Sequence, residues 1–170
     1  MNDFVTTNHL LEARLSIEGL RRRYARAVDA MGCNADSTKS GARNELRSIF
    51  APDAAIRFLI GGVVVLHADG PEAWADIVGN AVGKYHGTQH LIGTQMVRFD
   101  VVELSADGRI MTGEAAMVSH VQASHWTAER LRVVLGDYHD TVRFDPNAGW
   151  RIHAMDLVQH FRWERSRDAG

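Results

Sequence analysis

The chain of 170 residues has one cysteine, Cys33, so no intrachain disulfide can form and a reducing compartment is the simpler setting. No apolar run approaches the roughly 20 residues that a bilayer-spanning helix needs. Met1-Asn-Asp-Phe-Val-Thr-Thr-Asn8 lacks the basic stretch and following apolar stretch of a secretory leader. The expectation is a cytoplasmic protein with no membrane partner. An excess of one charge is also missing, with 19 Lys+Arg against 21 Asp+Glu and a net charge of −2, which speaks against nucleic acid or an anionic lipid surface as partner. The run Arg21-Arg-Arg23 shares its segment with Glu12 and Glu18 and has no interleaved aromatics, so it reads as a solvated face. A chain of this length buries a real core and is most economically one domain, residues 1–170.

Catalytic motifs are sparse in the same informative way. There are no cysteine pairs, no Asp/Glu cluster and no His-x-x-x-His on a convincing helix. His86 and His90 fall about 13 Å apart on a strand rising about 3.3 Å per residue, too far to share an ion. No serine has glycine-elbow context, Cys33 lies in a loop, and no glycine-rich strand-to-helix loop waits for a phosphate. No metal and no cofactor are therefore expected. What remains is general acid–base chemistry, the province of histidine, carboxylate and phenol.

The stretch Leu20 to Gly32 supplies two of these groups. Leu10, Ala13, Ile17, Leu20, Tyr24, Ala27, Val28 and Met31 recur at three- and four-residue steps and form one apolar sector of a helix. Thr7 or Asn8 can cap it and Gly32 stops it. Asp29 follows Tyr24 by five positions, about 140° around the wheel, within reach of Arg26. On the wheel alone Asp29 is either a solvated partner of Arg26 or a functional carboxylate.

Gly32 to Gly41 is polar and glycine-bounded, a loop. Ala42 to Phe50 has helical spacing, and Pro52 ends it. Two short strands, Ala54 to Leu59 and Val63 to His67, meet at Gly61-Gly62, and a helix runs from Pro71 to Gly83. From His86 the period becomes two, which predicts strands over 86–95, 96–104, 109–124, 129–144 and 150–163. Helices first and antiparallel strands last make an α+β domain, with helices against one face of a curved sheet wrapped into a half-barrel.

His90 shares a strand face with His86, Thr88, Ile92, Thr94 and Met96, and alternation does not say which face is inner. His120 shares parity with Glu114, Ala116 and Val118 and either lines a pocket or satisfies a hydrogen bond. Tyr138 and His139 point to opposite faces, so one at most enters a cavity. Phe58, Trp74, Met117, Met155, Phe161 and Trp163 read as core or interface.

Tyr24-Ala-Arg-Ala-Val-Asp29, Phe50-Ala-Pro-Asp53, Gly70-Pro-Glu-Ala-Trp74, Thr88-Gln-His90-Leu-Ile-Gly, Gly136-Asp-Tyr138-His-Asp140 and Gly149-Trp150-Arg151-Ile152 span nearly the whole chain. In this order they resemble the nuclear-transport-factor-2-like superfamily, and specifically its SnoaL-like, scytalone-dehydratase-like branch. The resemblance implies a cone-shaped half-barrel and a pocket holding an aspartate–histidine dyad. Asp29, facing the cavity, and His90 match the dyad, and Tyr24 matches a tyrosine that lines the same pocket. Arg143 is the nearest match to a late-strand arginine, although the spacing after Tyr138 is one residue short and would turn it to the other side.

The implied enzyme is a cofactor-independent lyase, a dehydratase acting on a small apolar cyclic or polyketide-like hydroxy-carbonyl compound. His90, Asp29 and Tyr24 would be catalytic, and Tyr138, His120 and Arg143 would bind substrate. The alternatives are an isomerase of the steroid delta-isomerase type in the same pocket, or a non-catalytic ligand-binding or scaffolding member of the fold. Long strands and the apolar Phe161-Arg-Trp163 point to a homotrimer or homodimer.

Overall fold

The computed structural model describes residues 2–32 and 36–166, with side chains from 8–32 and 38–166. Three helices and six strands follow in the order α1 (Asn2–Met31), α2 (Asp36–Ile49), β1 (Phe50–Ile60), β2 (Val63–Asp69), α3 (Gly70–Val82), β3 (Gly87–Leu104), β4 (Ile110–Trp126), β5 (Arg130–Asp145) and β6 (Gly149–Ser166). The sheet runs β2-β1-β6-β5-β4-β3 and is open at β2 and β3. Every neighbouring pair is antiparallel except β1 with β6. This is the expected α+β half-barrel, with helices on the concave face of a mostly antiparallel sheet. Among the described residues no helix is long and apolar enough to cross a membrane.

Several boundaries differ from the sequence expectation. Helix α1 continues through Thr7 and Asn8 to Asn2, because no glycine or proline stands there to stop it. Most of the expected Gly32–Gly41 loop is the start of α2. Thr38 and Ser40 lie on the solvent face of an amphipathic helix whose Ala42, Leu46 and Ile49 are buried. Cys33 lies outside the described residues. Pro52 ends no helix. It sits within β1 at the register break between Phe50 and Ala55, where a ladder N–H is dispensable. The hairpin at Gly61-Gly62 forms as expected, both glycines having positive φ (58° and 79°).

The two strands expected at 86–95 and 96–104 are one strand, β3. Its register against β4 slips between Ile92 and Gln95. This bulge exchanges the faces: Thr88, His90 and Ile92 are sheltered before it, while Gln95, Val97 and Phe99 are sheltered after it and Met96 is exposed. The change of phase at 93–96 is a bend in one long strand rather than a turn between two.

The core lies between α1 and the concave sheet face, where Ile17, Leu20, Tyr24 and Val28 meet Met117, Tyr138, Val142, Ile152 and Met155. The Arg21–Arg23 run is not a uniformly solvated face. Arg22 and Arg23 are exposed, but Arg21 is fully buried and ion-paired with the equally buried Asp140. Arg21 stands four residues after Ile17 and three before Tyr24, inside the apolar sector.

The bulge between Leu135 and Gly136 brings β6 close to β5, and a Cβ on Gly136 would be driven into the carbonyl oxygen of Val158. Because the obstacle is backbone rather than a movable side chain, Gly136→Ala is expected to lower stability by about 1–3 kcal/mol. A urea midpoint equal to that of the parent protein would contradict this packing.

Candidate active site

Asp29 lies on the last full turn of α1, where that helix runs against the beginning of β3. Gly32 permits the approach, since a Cβ there would strike the methyl group of Thr88. Asp29 meets His90 with both oxygens: Oδ2 accepts the His90 backbone N–H at 3.1 Å, and Oδ1 lies 2.7 Å from His90 Nδ1. In a neutral imidazole, an Nδ1–H given to an ionised carboxylate leaves the lone pair on Nε2. Asp29 reaches His90 from its wheel position because the strand comes to the flank of the helix. Asp29 stands behind His90 and is not itself among the residues bordering the cavity.

That cavity has a volume of about 240 Å³ and is bordered by His90, Tyr24, Tyr138, Trp74 and a largely apolar wall that includes Val28, Phe58, Val78 and Leu157. The Tyr24 hydroxyl accepts a hydrogen bond from Trp74 Nε1 at 3.0 Å and retains its own proton to donate. Its ring meets Tyr138 edge-on at 5.5 Å. Burial pushes the Tyr24 phenol up to about 12, against the pull of Arg21. Burial, with Tyr24 next to it, likewise raises Tyr138. Both remain neutral donors at any ordinary pH. Among the described residues no three His, Cys, Asp or Glu side chains are grouped to hold a metal ion.

A family model described as a SnoaL-like domain matches residues 9–156. The chain belongs to the SnoaL-like family. No curated protein matches its sequence. Solved structures share the fold of this SnoaL-like domain over nearly all of their length. One is a candidate scytalone dehydratase from Novosphingobium aromaticivorans (TM-score 0.68, 19% identity, 92% of this chain and 90% of that one). A hexachlorocyclohexane dehydrochlorinase from Novosphingobium barchaimii is comparably similar (0.68, 15%, 96% and 96%). So is the β subunit of a candidate aromatic-ring-hydroxylating dioxygenase from Novosphingobium aromaticivorans (0.62, 14%, 89% and 92%). At these identities the likeness is one of fold.

Not every candidate residue of the SnoaL-like domain reaches the cavity. Tyr138 faces inward and His139 is exposed on the other side. His120 alternates with buried Ser119 and Val121, so it lies on the outer sheet face, 2.5 Å from Asp137 Oδ1. Arg143 alternates with buried Val142 and also lies outside, where it pairs with Glu114 at 3.0 Å. The expectation that these two bind substrate in the pocket fails on the period of the strand.

The cavity is also bordered by residues outside the sequence expectation, among them His125, Tyr85 and Arg132. His125 lies just past the strand expected over 109–124, but β4 continues through it, and counting on by twos from Ala123 brings it inward. Its Nδ1 lies 2.7 Å from Thr88 Oγ1. Its ring stacks on Tyr85 at 5.0 Å and stands edge-on to His90 at 5.6 Å. Arg132 shares parity with Val134 and Tyr138 on β5 and donates from Nη1 to the Tyr85 hydroxyl at 2.8 Å.

Burial, followed by the neighbouring His90 and Arg132, pushes His125 down from 6.5 to about 4. The native state therefore excludes a proton that the unfolded chain takes up below pH 6.5. Stability is expected to fall as pH drops through the window from 6.5 to about 4. A His125→Gln variant, with nothing to titrate there, should show a flatter urea midpoint across the window. An equally steep loss in the variant would place its cause elsewhere.

Proposed function

We propose that this domain is a cofactor-independent lyase, a dehydratase that removes water from a small apolar cyclic hydroxy-carbonyl compound. The observation that supports it most is the pair formed by Asp29 and His90 beside an apolar cavity. His90 Nε2 takes a proton from the carbon next to the carbonyl, and Asp29 holds Nδ1–H and stabilises the imidazolium. The C–H electron pair moves into an enolate, whose oxygen accepts hydrogen bonds from Tyr24 and Tyr138. Collapse of the enolate forms the C=C bond and breaks the C–O bond, and the departing hydroxide leaves as water with the proton carried by His90. The names of two neighbours of the same fold, a candidate dehydratase and a dehydrochlorinase, both denote eliminations and agree with this reading.

If His90 returned its proton to another carbon, the same residues would make an isomerase. A panel of bicyclic β-hydroxy ketones followed by enone absorbance separates the two: water loss raises the absorbance and lowers the mass, whereas isomerisation leaves the mass unchanged. No turnover by the wild-type protein across the panel would favour a binding or scaffolding role, as the fold shared with a dioxygenase β subunit allows.

The domain is also expected to assemble as a homodimer or homotrimer through the outer sheet face. Leu135 and Phe161 are cross-strand partners there and Trp163 stands two residues on, all exposed in the single chain.

A further inference from the structure

The polar groups bordering the cavity are not evenly distributed in sign. Lys84, Arg132 and Arg162 border it, and no aspartate or glutamate does so among the described residues. Lys84 and Arg162 are exposed and Arg132 is half-buried, so the cationic groups mark the solvent end, away from the enclosed phenols Tyr24 and Tyr138. Arg132 is the best placed of the three. Its Nη1 is fixed on Tyr85, while its Nε is buried without a hydrogen-bond partner. The nearest carboxylate to that Nε, Glu164 Oε2, is 3.8 Å away, and the other Glu164 oxygen lies 3.3 Å from Arg130.

A guanidinium that borders the cavity and is held in place through Nη1 suits an anionic guest. The Tyr85 hydroxyl, an acceptor toward Arg132, keeps its proton for the same guest. Between this end and the reacting end stand two ring contacts, Tyr85 stacked on His125 at 5.0 Å and His125 edge-on to His90 at 5.6 Å.

We propose that the substrate carries a carboxylate at the end remote from its carbonyl, seated by Arg132 and Tyr85 with Lys84 and Arg162 at the rim. The proposal rests on this cavity being the active site, and it narrows the substrate class from neutral to acidic cyclic compounds. The carboxylate takes no part in bond breaking. It orients the ring so that the acidic C–H meets His90.

Binding of 2-naphthoate and of 2-naphthamide to the whole protein, measured by calorimetry, tests this without a turnover assay. The account predicts that naphthoate binds at least about 10-fold tighter than naphthamide. Arg132→Met should weaken naphthoate by about 10–100-fold and leave naphthamide unchanged. Arg143→Met, on the outer face, should change neither. The proposal is overturned if the amide binds as well as the acid, if Arg132→Met weakens both alike, or if neither probe binds. Its failure is distinct from failure of the lyase reading. Naphthoate binding through Arg132 with no dehydration of any hydroxy ketone would retire the lyase alone, and dehydration of neutral ketones with no preference for the acid would retire the carboxylate seat alone.

Discussion

Arg21→Met is expected to cost about 3–5 kcal/mol of folding stability. Both partners of the Arg21–Asp140 pair are fully buried, and the guanidinium also lies 3.8 Å from the centre of the Tyr138 ring and 4.6 Å from that of Tyr24. Removing it leaves a carboxylate in the core with its counter-charge gone. Burial already raises the Asp140 carboxyl above its ordinary value, and Arg21 is what opposes the rise. Without Arg21 the native state holds a proton on Asp140 that the unfolded chain releases, so the variant should lose stability as pH rises above the ordinary carboxyl value of 3.8. The double variant Arg21→Met, Asp140→Leu should recover most of the loss, because no unpaired charge remains. Urea denaturation of the parent protein, the single variants Arg21→Met and Asp140→Leu and the double variant at two pH values measures this directly. Losses that simply add would show that the pair is not a unit.

The second large effect concerns turnover. Asp29→Asn is expected to lower the rate of dehydration by about 10²–10⁴-fold while the protein stays folded. An asparagine oxygen can still accept the His90 backbone N–H, so the crossing of α1 and β3 survives. Its amide NH2 would then be turned toward Nδ1, which moves the imidazole proton to Nε2 and leaves no lone pair facing substrate. His90→Gln should lose a similar factor, and the double variant no more than either single one, since the two residues act through one nitrogen. The comparison is made by kcat on the best hydroxy ketone of the panel. Loss in KM alone would mean that the pair binds substrate without acting as a base.

Much of the fold was legible because its signals are local. The apolar stripe of α1, the glycine pair of the hairpin, Pro71 at the start of α3 and the alternation along β4, β5 and β6 each depend on a few adjacent residues. What escaped depends on how separate elements meet. The wheel placed Asp29 beside Arg26, and only the approach of β3 makes it a partner of His90. The bulge at Ile92–Gln95 looked like a break between two strands, since a change of phase in the alternation is common to both. Arg21 was hidden by its charge, although its position in the apolar sector and the inward parity of Asp140 with Tyr138 carried the signal. Parity also dismissed Arg143 and would have brought in His125 and Arg132, had β4 and β5 been followed to their ends.

The measurement that bears most directly on the proposed chemistry is the exchange of α-protons for deuterium, which needs no leaving group. The α-protons of 1-tetralone in D2O, followed by proton NMR, should exchange well above the uncatalysed rate with the wild-type protein and near that rate with Asp29→Asn and with His90→Gln. Exchange at the same rate in all three proteins, or none above background with the wild type, would contradict a base at His90 poised by Asp29.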